Sequence, residues 1–169
     1  MGVDLDAAAI GRARQAAERL AVRPTPRFLV ADATDLPLED NVFNGAIMRA
    51  LLSSIAPAEE RTKALREAHR ILKPGGRLLI AEFAQTWRDP MWRRRYLEGE
   101  SLTGELGTFA VPDPHTGRRK SYSHHFSEEE LVKVLTAAGF QVSELHADGL
   151  ATASSKQVAA MAVVAVNAE

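Results

Sequence analysis

The chain has 169 residues, 46% of them hydrophobic and 25% charged, which is enough apolar material for one packed core and far from the composition of a disordered chain. Its 21 basic and 22 acidic residues leave a net charge of −1, so no global field draws it to nucleic acid or a membrane surface, and a small molecule or a protein is the expected partner. With no cysteine, a disulfide framework and a thiolate metal site are excluded. No apolar run reaches the ~20 residues of a membrane span, and no signal pattern opens the chain, so the expected setting is cytoplasmic.

The opening residues Gly2-Val3-Asp4-Leu5 are strand-like but short, and Asp6 stands where a helix N-cap belongs. Over residues 7–21, Ile10, Ala13, Ala17 and Leu20 recur at helical spacing, and Pro24 and Pro26 end the pattern. Residues 27–32 and 44–49 read as buried strands separated by a turn-rich stretch. Pro57 with Glu59 and Glu60 opens a second helix, whose apolar face is Leu65, Ala68 and Leu72. Lys73-Pro74-Gly75-Gly76 is predicted to stop that helix and turn the chain into a third strand over residues 77–83.

The alternation of strand and helix predicts an α/β fold: a doubly wound, mostly parallel sheet with helices on both faces. Residues 85–123 break the pattern and are predicted to be a lid or substrate insertion rather than a structureless loop. Within them, residues 87–96 interleave aromatics with Arg88, Arg93, Arg94 and Arg95, a run that could engage an anionic substrate or stack on nucleic acid; a solvated amphipathic helix serving as a lid is the preferred reading, since the overall charge does not favour nucleic acid. Ser127 and Glu130 form a capping box, with Phe126 able to staple onto Leu131, and Gly139 ends that last helix. Two final strands, residues 140–146 and 157–166, are joined closely enough to pair antiparallel. The whole reads as a single domain over residues 1–169 with no internal repeat.

Ligands of a doubly wound sheet bind beyond the carboxyl ends of its strands, where Asp4, Asp32 and Glu82 stand. A carboxylate there can accept both hydroxyl protons of a ribose, and an acid beside a free backbone N–H can read the edge of an adenine. The competing reading is that Asp4 and Asp32 are caps of turns or helices.

Several segments, in order, carry a family resemblance: Gly2-Val3-Asp4-Leu5-Asp6, FLVADATDLP over residues 28–37, Asn41-Val42-Phe43-Asn44, LREAHRILKPGGRLLIAEF over residues 65–83, and HFSEEELVKVLTAAGF over residues 125–140. Together they resemble class I S-adenosylmethionine (SAM) dependent methyltransferases, nearest the group that includes ubiquinone and menaquinone biosynthesis enzymes. The resemblance implies a Rossmann-like fold, SAM as cofactor and S-adenosylhomocysteine as product. It implies that Asp4 holds the ribose hydroxyls, that Leu5 packs on adenine, and that Asp32 with Ala33 reads the adenine edge. Arg49 and Ala50 would lie beside the methionine part. Asn44 departs mildly from the family, which has Asp after the Phe.

The larger departure is that the family's opening strand and its glycine-rich turn, E/D-x-G-x-G-x-G in outline, occur nowhere in the sequence. The expectation is a sheet lacking its first strand–helix unit of ~30 residues, with an unpaired edge that a homodimer could cover. Methyl transfer from a sulfonium to a small-molecule acceptor is an in-line displacement, needing alignment and water exclusion above all. Glu82, Tyr122, His124 and His125 are the candidates for orienting the acceptor or removing its proton. A truncated, non-catalytic domain acting through self- or partner association is the alternative function. A nicotinamide-binding domain shares the acid at the end of the second strand but not the Lys73–Gly76 turn or the C-terminal strand pair. His124 and His125 are adjacent and lack spaced carboxylate or cysteine partners, so no metal site is expected.

Overall fold

A computed structural model describes residues 1–151 and 157–168. The chain runs β1 (Gly2–Asp4), α1 (Ala7–Arg19), β2 (Phe28–Val30), β3 (Phe43–Arg49), a 3-10 turn (Leu52–Ser54), α2 (Ala58–Ile71) and β4 (Leu72–Phe83). It continues with α3 (Pro90–Thr103), β5 (Thr108–Pro112), β6 (Arg119–His124), α4 (Glu128–Ala137), β7 (Phe140–Ala151) and β8 (Gln157–Asn167). The strands form a parallel pair β1-β2, a four-stranded sheet in the order β3-β4-β8-β7, and a β5-β6 hairpin. β3 and β4 are parallel, whereas β8 is antiparallel to both its neighbours. The α/β fold therefore stands, with the expected antiparallel C-terminal pair built onto a parallel core.

Local signals act where the sequence places them. Asp6 caps α1 by accepting the Ala8 N–H at 2.8 Å, and Ser127 caps α4 by accepting the Glu130 N–H at 3.1 Å. The box is only half made, because the Glu130 carboxylate turns to His124 instead of back to Ser127. The Lys73–Gly76 turn is different from expectation. It stops α2, but β4 already begins at Leu72, and the turn is taken up as an irregularity in the β3–β4 register, with Gly75 at φ 73°.

One face of the four-stranded sheet carries the core. Leu78 and Ile80 of β4 and Val163 and Ala165 of β8 share this face and pack with Leu65 of α2 and Leu131 and Leu135 of α4. α1 turns Ile10 and Ala17 inward against β1 and β2. The insertion is ordered: α3 lies along β5, and at their crossing a Cβ on Gly99 would land on the Thr108 carbonyl, so only glycine permits the approach. Trp92, Tyr96, Phe109 and His125 fill the space between, with ring centroids 4.7 to 6.0 Å apart. The segment read as a solvated helix thus buries Tyr96 completely and half-buries Trp92.

Candidate active site

β1 and β2 are parallel and in register, Asp4 opposite Val30, and the Ala31 N–H donates to the Asp4 carbonyl at 3.1 Å. Asp4 and Asp32 are thereby delivered to the same end of the pair, both exposed. Asp4 Oδ1 accepts the Asp6 N–H at 2.8 Å. Asp32 Oδ1 accepts the N–H and hydroxyl of Thr34, at 2.9 and 2.8 Å, which hold its carboxyl below the usual aspartate value. In each side chain these bonds use Oδ1, so the capping reading is satisfied, while Oδ2 takes no hydrogen bond from the described residues and can accept from a ligand.

The loop after Asp32 is fixed from below by Arg70. Its guanidinium donates to the carbonyls of Leu36 and Leu38, at 2.9 and 2.6 Å, and to the carboxylates of Glu67 and Asp40. Glu67 in turn accepts the Leu36 N–H at 2.7 Å. Sequence spacing gives no sign of this clamp, whose partners lie about thirty residues apart.

Across from β1, the end of β3 presents Arg49 and Ala50. Ala50 sits at φ 51°, left-handed for a residue with a Cβ, and its N–H donates to the Ala81 carbonyl at 2.8 Å. The next turn is held by Glu82, fully buried, whose two oxygens accept the N–H groups of Leu52 and Ser53 at 2.9 and 3.0 Å. Burial pushes the Glu82 carboxyl up, and those N–H bonds and the Ser53 hydroxyl pull against it. A groove of about 670 Å³ runs between the two units, lined by β1, β3, Asp32, Ala33, Arg49 and Ala50, with Leu5 at its rim and 70% exposed.

The groove fits the adenosyl end of SAM on chemical grounds: two carboxylates with free oxygens at one end, an apolar rim at Leu5, and the backbone of Ala33 beside Asp32. It thus unites all six residues expected to hold cofactor. The four expected to handle the acceptor are placed differently. Glu82 is committed to the 3-10 turn, and His124 and His125 are 0% and 3% exposed. Tyr122 is half-buried, its hydroxyl accepting from Arg119 at 2.7 Å. Neighbouring Ser123 donates to the Ser53 carbonyl at 3.0 Å, so the insertion docks on the turn that Glu82 holds.

His125 Nδ1 lies 2.8 Å from the Tyr96 hydroxyl. Burial, then neighbouring His124 and Arg95, lower its pKa to about 3. His124 meets Thr108 Oγ1 at Nδ1, 2.8 Å away, while Nε2 lies 3.0 Å from Glu130 but out of line for a hydrogen bond. Glu105 stands at the Nδ1 side and is ion-paired with buried Arg61. The fold thus gives His124 two carboxylate neighbours that sequence spacing does not show. Arg61 already neutralises one of them.

Residues 1–80 match the family described as Methyltransferase domain. The demethylmenaquinone methyltransferase of Paenarthrobacter aurescens is 39% identical over 123 residues, 70% of this chain and 46% of that one. The ubiquinone/menaquinone biosynthesis C-methyltransferase UbiE of Haemophilus ducreyi is 28% identical over 140 residues, 82% of this chain and 53% of its own. The chain therefore spans about half the length of the curated relatives it matches. A SAM-dependent methyltransferase from Methanosarcina mazei superposes with a TM-score of 0.88 at 32% identity, covering 99% of this chain and 81% of that one. No helix among the described residues is long and apolar enough to cross a membrane. On these likenesses the chain belongs to the class I SAM-dependent methyltransferases of the UbiE type, a family whose cofactor is SAM.

Proposed function

We propose that this chain carries the adenosyl-binding half of a methyl-transfer site for a small-molecule acceptor. The observation that carries this reading is the convergence of Asp4, Leu5, Asp32, Ala33, Arg49 and Ala50 on one groove. Asp4 accepts from the ribose hydroxyls. Asp32 accepts from the exocyclic amine of adenine, and the Ala33 N–H donates to its ring. Arg49 and Ala50 face the amino-acid end. When bound, SAM supplies an electrophilic methyl group on a sulfonium, so the chain has to align an acceptor with it and keep water out.

In this reading the buried acids and histidines position rather than touch. Glu82 fixes the turn that follows Ala50, and Tyr96 with His125 ties α3 to the segment that follows β6. Tyr122, half-buried on the strand that docks beside that turn, is the one candidate of the four left to orient an acceptor. A second reading, a non-catalytic module that acts through association, is favoured by the break in the sheet between β1 and β3.

Calorimetric titration with SAM and S-adenosylhomocysteine separates the two. Saturable binding that Asp4→Ala weakens at least tenfold, about 1.4 kcal/mol, supports the methyl-transfer reading. An intact, folded chain that binds neither would favour the association module.

A further inference from the structure

The foot of the insertion holds a second polar cluster, none of whose members lines the groove. His124 on β6 has no exposed surface, and Thr108 on β5 has almost none. Glu105 is ion-paired with buried Arg61, whose guanidinium also donates to the Ile55 carbonyl, so Glu105 is an anion that only accepts. The Thr108 hydroxyl donates to Glu105 Oε2 at 2.7 Å and has no second proton. Its contact with His124 Nδ1, at 2.8 Å, is therefore made by the Nδ1–H. The relay Arg61–Glu105–Thr108 thus fixes both the ring and its tautomer, and turns the Nε2 lone pair to the far side.

What that lone pair meets is another acceptor. Glu130 Oε1 lies 3.0 Å from Nε2, yet off the axis along which a ring N–H would donate, and Nε2 has no hydrogen-bond partner among the described residues. Neither a bare nitrogen nor a protonated one is satisfied by this arrangement. Two ligands of one first-row divalent ion, each about 2.1 Å from it, stand about 3.0–3.4 Å apart and aim at a shared point rather than at each other. The Glu130 carboxylate gives up the capping-box bond to Ser127 to reach this position, and among the described residues no lysine or arginine pairs with it. Its side chain is 28% exposed, which leaves an entry from solvent and room for water to complete the coordination shell.

We propose that His124 Nε2 and Glu130 hold a divalent transition-metal ion, zinc above all, which pins β6 to the first turn of α4. Imidazole with a carboxylate and water suits zinc, whereas calcium and magnesium take shells of oxygen alone. Thr108 and Glu105 are positioning residues. They hold the imidazole by the nitrogen that faces away from the ion, as the partners of metal-bound histidines generally do.

The probe is zinc chloride, titrated calorimetrically at pH 8 into the chelator-treated chain without SAM, so that failure of the cofactor reading leaves the result untouched. Expected is one saturable site per chain, which Glu130→Gln weakens at least about tenfold and Thr108→Val, removing the relay at nearly constant shape, weakens about 10- to 100-fold. Replacing the exposed His115 and His146 by alanine should leave it unchanged. Nitrogen NMR of the imidazole locates the ion: zinc should shift His124 Nε2 and leave Nδ1 protonated. Glu130 is partly exposed, so Glu130→Gln carries the test should Thr108→Val not fold. No saturable binding overturns the proposal, and so does binding that is lost with His115 and His146 or undiminished in Glu130→Gln. Zinc on Nδ1, or full-strength binding in a folded Thr108→Val, removes the relay and overturns the proposal as stated.

Discussion

Acid should loosen this protein through one histidine at a pH where ordinary carboxylates are still mostly ionised. His125 is enclosed by Phe83, Trp92, Tyr96 and Phe109. The Thr86 N–H donates to the Tyr96 oxygen at 3.2 Å, so the phenol proton is available to donate to the neutral imidazole at Nδ1. Burial pushes the Tyr96 phenol up, which keeps that proton in place. The folded pKa of His125, about 3 against an ordinary 6.5, fixes the sign: the neutral ring is favoured in the folded state. Its contribution is complete above the unfolded value and is lost as pH falls from 6.5 towards 3. At about 1.4 kcal/mol per unit, the loss is about 2 kcal/mol by pH 5 and approaches about 5 kcal/mol only near pH 3. Urea midpoints at pH 8 and pH 5 for the natural chain and for His125→Phe measure it. Glu82 works in the opposite direction, because a carboxyl pushed up by burial costs stability as pH rises, but it is common to both proteins. The variant should lose about 2 kcal/mol less over this interval. An equal loss in the two proteins would show that His125 does not carry the acid sensitivity.

Three further substitutions test the supports of the groove. Arg70→Ala strips the carbonyls of Leu36 and Leu38 of their donor and should cost about 1–3 kcal/mol, with faster amide exchange in the loop after Asp32 as its local signature. Glu82→Ala leaves the buried N–H groups of Leu52 and Ser53 unpaired; a loss of about 2 kcal/mol or more is expected in chemical denaturation, and a neutral result would remove its positioning role. Gly99→Ala drives a Cβ into the Thr108 carbonyl and should cost about 1–3 kcal/mol, with exposure of the Trp92 cluster read as a red shift in tryptophan fluorescence.

The parts of this structure that were legible in sequence are those fixed by neighbours. Asp6 and Ser127 cap helices through residues two and three positions away, and the parallel order follows from alternating patterns. Asp4 and Asp32 are recognisable because each closes a short apolar run, and pairing in register then brings them to one end. What stayed hidden depends on contacts across tens of residues. Glu82 reads as a free acid at a strand end, yet its partners lie 29 and 30 positions earlier and take both oxygens. Glu105 finds Arg61 from 44 positions away, and nothing in its own segment announces it. The arginine-rich stretch before Tyr96 suggests a solvated helix because charge dominates its composition. Aromatic packing onto Phe109 and His125 decides its placement instead, with Arg95 lying 4.3 Å over the Phe109 ring.

The division of the groove carries a last consequence. Asp4 and Asp32 belong to the β1-β2 unit, Arg49 and Ala50 to the four-stranded sheet, and no strand pairing among the described residues joins the two. A cofactor that touches both lips has to fix their separation, so SAM should slow amide exchange on β1 and on β3 together. Exchange followed with and without saturating SAM measures it, and protection confined to the β1-β2 pair would show that the cofactor engages one lip alone, so that the argument from the divided groove fails.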